Sequence, residues 1–145
     1  MSNVLNYVVQ ADATGDNKIV LGGTVETGGG QEPKSVILNV SLADVSTSST
    51  VYIASPIAGT IEKIYTVIDG AIATADAVLT ASIGAAAITG GVVTIANAGS
   101  AAGDVDVATP TAANVVAVGD QINIATNGAS TNTVVANISI LITLS

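Results

Sequence analysis

The chain has 145 residues, 49% hydrophobic but only 2% aromatic, and carries a formal charge of −8 from 11 acidic residues against three lysines. It contains no Arg, His, Cys, Trp or Phe, so disulfides, thiolate chemistry, histidine metal sites and Ser-His-Asp triads have no residues to use, and nucleic-acid binding through phosphates lacks the clustered Lys or Arg it needs. Only Tyr7, Tyr52 and Tyr65 could serve a stacking platform, and the composition points to a structural or binding module without catalysis or cofactor.

The first residues, Met1-Ser2-Asn3-Val4-Leu5-Asn6-Tyr7, have neither a basic n-region nor a long apolar h-region, so no secretory signal is expected. Strand-like pieces follow near residues 4–9 and 18–25. Asp12-Ala13-Thr14-Gly15-Asp16-Asn17 gathers oxygen ligands in a turn, but it lacks the twelve-residue calcium-loop pattern and its closing glutamate. The simpler reading is that Asp and Asn end strands there. Gly28-Gly29-Gly30-Gln31-Glu32-Pro33-Lys34-Ser35 approaches a phosphate loop, yet Pro33 stands at the second required glycine and cannot offer a backbone N–H. The triple glycine reads instead as a hinge closing an N-terminal arm, residues 1–34. An arm of that length cannot bury a core of its own. Val4, Leu5, Val8, Ile19, Val20 and Leu21 are therefore the candidate interface residues, packing on a neighbouring subunit or on the main domain. The alternative, equally open, is that the arm supplies edge strands to its own sandwich.

Residues 35–145 form the expected main domain. Val36, Leu38, Val40 and Leu42 alternate with Asn39 and Ser41, and Val134, Ala136, Ile138, Ile140, Ile142 and Leu144 make an unbroken apolar face near the C-terminus. Further strands are predicted near residues 50–54, 60–69, 77–84, 91–96 and 121–126, separated by Asp69-Gly70, Gly90-Gly91 and Asn127-Gly128 as tight turns. Residues 71–88 are Ala-rich enough for a helix, but recurring Thr, Val and Ile without a helix cap favour a strand pair. The low-charge stretch from Gly70 to Ile95 is too poor in strongly apolar residues for a membrane-spanning helix. The fold class that follows is all-β: an antiparallel β-sandwich, jelly-roll-like, with an extended N-terminal arm.

Candidate chemistry in this domain is sparse. Asp104-Val105-Asp106 places two carboxylates on one strand face, a possible cation site whose plainer reading is a solvated turn. Glu62 with Asp104 or Asp106 is the carboxylate pair an acid–base hydrolase would need, though nothing in the sequence brings them together. Glu62-Lys63 reads as a solvated strand surface, and Tyr65 as sheet packing. Asn39-Val40-Ser41 and Asn137-Ile138-Ser139 match the glycosylation pattern on strands, by chance. No metal or cofactor site is expected.

Ser55-Pro56-Ile57-Ala58-Gly59-Thr60-Ile61-Glu62-Lys63-Ile64-Tyr65, continuing through Ile68-Asp69-Gly70-Ala71-Ile72-Ala73-Thr74-Ala75-Asp76, resembles small β-rich proteins encoded with the capsid genes of tailed bacteriophages. These include capsid decoration (cement) and head-fibre proteins. Gly99-Ser100-Ala101-Ala102-Gly103-Asp104-Val105 and Ala117-Val118-Gly119-Asp120-Gln121-Ile122 fit the same pattern, and the resemblance spans roughly residues 35–145. It implies a virion structural protein on the outer capsid surface, present in the host cytoplasm before assembly. Its partners would be the major capsid protein and itself, commonly as a homotrimer, with no nucleic acid or membrane partner. A head-fibre base, another virion β module, or a carbohydrate-binding or adhesin-like sandwich are the alternatives.

Overall fold

Alternating apolar and polar side chains make a strand two-faced, and two such sheets stack by burying one face of each. The computed structural model describes residues 7–11, 17–21 and 34–145, and the chain divides into two units, Met1–Glu32 and Pro33–Ser145. In the first unit β1 (Tyr7–Ala11) pairs antiparallel with β2 (Asn17–Leu21), setting Val8 opposite Val20 and Val9 opposite Ile19. The turn expected at residues 12–16 and the hinge expected at residues 28–33 lie outside the described residues.

The second unit holds nine strands: β3 (Ser35–Leu42), β4 (Ser49–Ala54), β5 (Gly59–Ile68), β6 (Ala77–Ile83), β7 (Ala86–Ile95), β8 (Val105–Ala108), β9 (Val115–Val116), β10 (Gln121–Thr126) and β11 (Ala136–Leu144). One sheet runs β3-β11-β5-β8, with β9 also paired to β5, and the other runs β4-β10-β6-β7. Every pairing is antiparallel. Only the β6–β7 and β8–β9 steps stay within a sheet, and all other connections cross between sheets. That strand order is the jelly roll of two interleaved Greek keys, with β8 and β9 sharing one strand position along β5. The antiparallel sandwich expected from the alternation is therefore the fold.

The core fills the space between the sheets. Ile138, Ile140 and Ile142 of β11 are at most 1% exposed, as are Ile61, Ile64 and Ile68 of β5 and Ile122 and Ile124 of β10. Each such side chain contributes about 1.5–3 kcal/mol relative to remaining in water. β11 lies between β3 and β5, with Ile140 opposite both Leu38 and Ile64, which explains why its alternation is the longest in the chain. A bulge at Glu62 lets Ile61 meet Ile142 while Lys63 meets Leu141.

The Ala-rich stretch is a strand pair, but its turn lies elsewhere than Gly90-Gly91. β6 and β7 join through Gly84-Ala85, with φ of +55° at Gly84 and no positive φ at Ala85, the pattern of a type II′ hairpin. Gly90 and Gly91 lie inside β7. Thr80 faces Val92 while Ser82 faces Ala87, so Ile88–Gly91 bulge from the ladder. The bulge has a purpose: Thr89 N–H donates to Ala112 O (3.0 Å) and Thr111 N–H to Thr89 O (2.9 Å). Those bonds stitch the edge of one sheet to the segment between β8 and β9 of the other.

Beyond the strand face read at Asp104-Val105-Asp106, β8 escaped the sequence reading because its pattern is inverted, and β9 because two residues are too short for any period. In β8 Val105 and Val107 face outward, 61% and 51% exposed, while Asp106 is half-buried opposite the fully buried Thr66. Partial burial, reinforced by the Asp104 carboxylate, pushes the Asp106 carboxyl above its ordinary 3.8. The folded chain then holds that proton more tightly than the unfolded chain. The stability this gives is fully present below pH 3.8 and is lost as pH rises through the folded-state value. Asp106→Asn is accordingly expected to raise the melting temperature near neutral pH, with the gain shrinking below pH 3.8. Thermal melts of both proteins at the two pH values check this, and a gain that persists in acid contradicts it.

Candidate interaction surfaces

Sheet faces turned to water ordinarily carry charged side chains. Here β4, β10, β6 and β7 contain none. The outer face of their sheet is Thr50, Ala125, Thr80 and Val92 across one row, and Tyr52, Asn123 and Ser82 across the next. Tyr52 is 59% exposed.

The five-stranded sheet has only Glu62, Lys63 and Asp106 within its strands. On its outer face Val67 pairs with Val105 and Tyr65 with Val107, four apolar side chains in a square. Ile37, 60% exposed, faces Leu141 on the same side. Beside them, Asn39, Ser41, Asn137 and Ser139 line a shallow depression of about 250 Å³, where the Ser139 hydroxyl donates to Asn39 Oδ1 at 2.7 Å. The two glycosylation-like triplets thus face each other across β3 and β11.

Charge gathers at the loop ends of the sandwich. Asp44, Asp69, Asp76 and Asp104 lie in the loops at the end where β5 finishes and β11 begins. Each closes local structure. Asp44 accepts from Ser46 N–H (2.8 Å), Ser46 hydroxyl (2.6 Å) and Thr47 hydroxyl (2.9 Å), and the Ser46 hydroxyl above all holds its carboxyl below the usual range. Asp69 accepts from Val135 N–H, Asp76 from Asn97 N–H and Asp104 from Ala101 N–H. These geometries are those of Asx turns and loop clasps.

The carboxylates that the sequence could combine stay apart. Glu62 is exposed at the β5 bulge, whereas Asp106 faces Thr66, four residues further along β5, or about 13 Å at the rise of a strand. Asp104 lies in the turn before β8, where its carbonyl accepts from Ile68 N–H. Among the described residues no group of three or more acidic side chains is placed to hold a metal ion. Tyr52 and Tyr65 sit on opposite outer faces, so they cannot line one sugar-stacking surface. Of the candidate interface residues, Val4 and Leu5 lie outside the described residues, and Val8, Ile19, Val20 and Leu21 are described as backbone positions of β1 and β2.

The sequence reading missed the outward apolar square and the β3 edge. The signal for the square was present: Val105 and Val107 flank Asp106 with reversed polarity.

Fold and surfaces together define a jelly roll with charge-poor faces. No family model matches the chain, and no curated protein does. A solved structure of Bacillus endospore appendages, described as a novel family of disulfide-linked pili, is similar at 16% identity over 77% of this chain and 88% of that chain, with a TM-score of 0.35. A likeness at that level carries no argument.

Proposed function

We propose that this chain is a structural virion protein that binds the outer surface of a bacteriophage capsid as a decoration or cement protein and stabilises the shell. The observation that carries this reading is the distribution of charge, confined largely to loop ends and leaving both outer sheet faces available for contact. Apolar squares such as Tyr65, Val67, Val105 and Val107 are the kind of exposed patch that marks protein–protein contact. The major capsid protein is the partner, and no reaction, cofactor or metal is involved. Self-assembly as a homotrimer, with Val4, Leu5, Val8, Ile19, Val20 and Leu21 between subunits, completes the proposal. The net charge of −8 keeps the free protein from DNA before assembly.

Co-sedimentation with empty shells of the phage that encodes it tests the reading. The expected result is saturable retention on the shell and a higher temperature of shell disruption. A chain that stays in the supernatant at all ratios overturns it.

A further inference from the structure

Among the described residues β3 pairs on one side only, with β11, and is the edge of its sheet. Edge strands are ordinarily blunted by charge, proline or a bulge. β3 has none of these over its eight residues, Ser-Val-Ile-Leu-Asn-Val-Ser-Leu, and its ladder with β11 is regular throughout. Val36, Leu38 and Val40, which point toward the core, are only half-buried.

We propose that the free edge of β3 pairs antiparallel with β3 of a second copy about a two-fold axis at Asn39, joining the two five-stranded sheets into one. Charge selects this partner and this register. Lys34 and Asp44 flank β3 at opposite ends, so antiparallel pairing centred on Asn39 sets each Lys34 alongside Asp44 of the other copy. A parallel arrangement would set Lys34 against Lys34. The same register places Leu38 opposite Val40 and Val36 opposite Leu42 on the core side, covering the half-buried row from its open flank. On the outer side Ile37 faces Ser41. At the axis Asn39 meets its own copy. Its Oδ1 already accepts from Ser139, which leaves Nδ2 as donor to the neighbouring chain. Because the same patch is used by both subunits, the contact is isologous and closes after two copies. It adds to whatever contacts the first unit makes, and it is independent of the capsid reading because it is measured without shells.

Two variants of the full chain test it. This chain has no cysteine, so Asn39→Cys introduces a lone thiol. Directly opposed antiparallel residues have Cα atoms about 4.5–5.5 Å apart, within disulfide reach. Oxidised Asn39→Cys is expected to run predominantly as a covalent dimer, while Thr80→Cys on the outer face of the other sheet does not. Asn39→Lys sets two ammonium groups against each other at the axis and should halve the native mass while keeping the far-UV spectrum of the wild type. An Asn39→Lys protein of unchanged mass overturns the proposal, as does Asn39→Cys that fails to cross-link or a wild type that sediments as a monomer. A monomer whose β3 amides nevertheless resist hydrogen exchange would give the edge to the chain's own N-terminal unit and overturns it too.

Discussion

Ile140→Ala is expected to lower unfolding stability by about 2–5 kcal/mol, a large share of the total for a domain this size. Ile140 is wholly buried in β11, opposite Leu38 on one side and Ile64 on the other. Removing three carbons there leaves a void between two sheets, each tied by its own ladder of hydrogen bonds, so the surroundings cannot close over it. Urea denaturation should show a lower midpoint with an unchanged slope, since the surface exposed on unfolding is the same. Val115→Ala serves as the contrast. Val115 is 67% exposed, and its truncation should shift stability by no more than about 0.5 kcal/mol. Equal losses for the two variants would contradict the placement of the core.

Gly128→Ala is expected to cost about as much by a different route. Gly128 has φ of +66°, a conformation that costs an L-residue about 1–2 kcal/mol. A Cβ at this position would also run into the backbone of Ser48 and Thr47, adding about 1–3 kcal/mol of overpacking. The two loops are held together there, because the Thr126 hydroxyl donates to Val45 O at 2.9 Å and Gly128 N–H donates to Thr126 Oγ1 at 3.3 Å. Neither backbone can move without breaking this clasp. Gly99→Ala isolates the conformational part, since Gly99 has φ of +82° and open space around it. Thermal or urea unfolding should therefore rank Gly128→Ala well below Gly99→Ala. Equal losses would show that the loop crossing yields at little cost.

Legibility followed the contrast between the two faces of each strand. β3, β5, β6, β10 and β11 were readable because one face is apolar and turned to the core while the other is mostly polar or small. β8 was not, since Val105 and Val107 face water and the half-buried position holds an acid. Two-residue β9 is too short for any period. Gly90-Gly91 looked like a turn because paired glycines permit one, yet Gly84-Ala85 makes the hairpin and the glycines form the bulge that reaches Ala112. The carboxylates of Glu62, Asp104 and Asp106 were visible as chemistry, and only their positions along β5 and β8 show that they do not converge.

By itself the sequence determined the all-β class, most strand positions, the identity of the buried faces and the poverty of charge. Those properties are local: side-chain alternation, turn residues and composition act within a few positions. The tertiary structure alone decided the β3-β11-β5-β8 and β4-β10-β6-β7 orders, which strand is left at an edge and which apolar side chains gather outside. These depend on pairings between residues as far apart as Ser35 and Thr143. Such pairings are selected by how both sheets bury their faces at once, and no single strand's pattern encodes that choice.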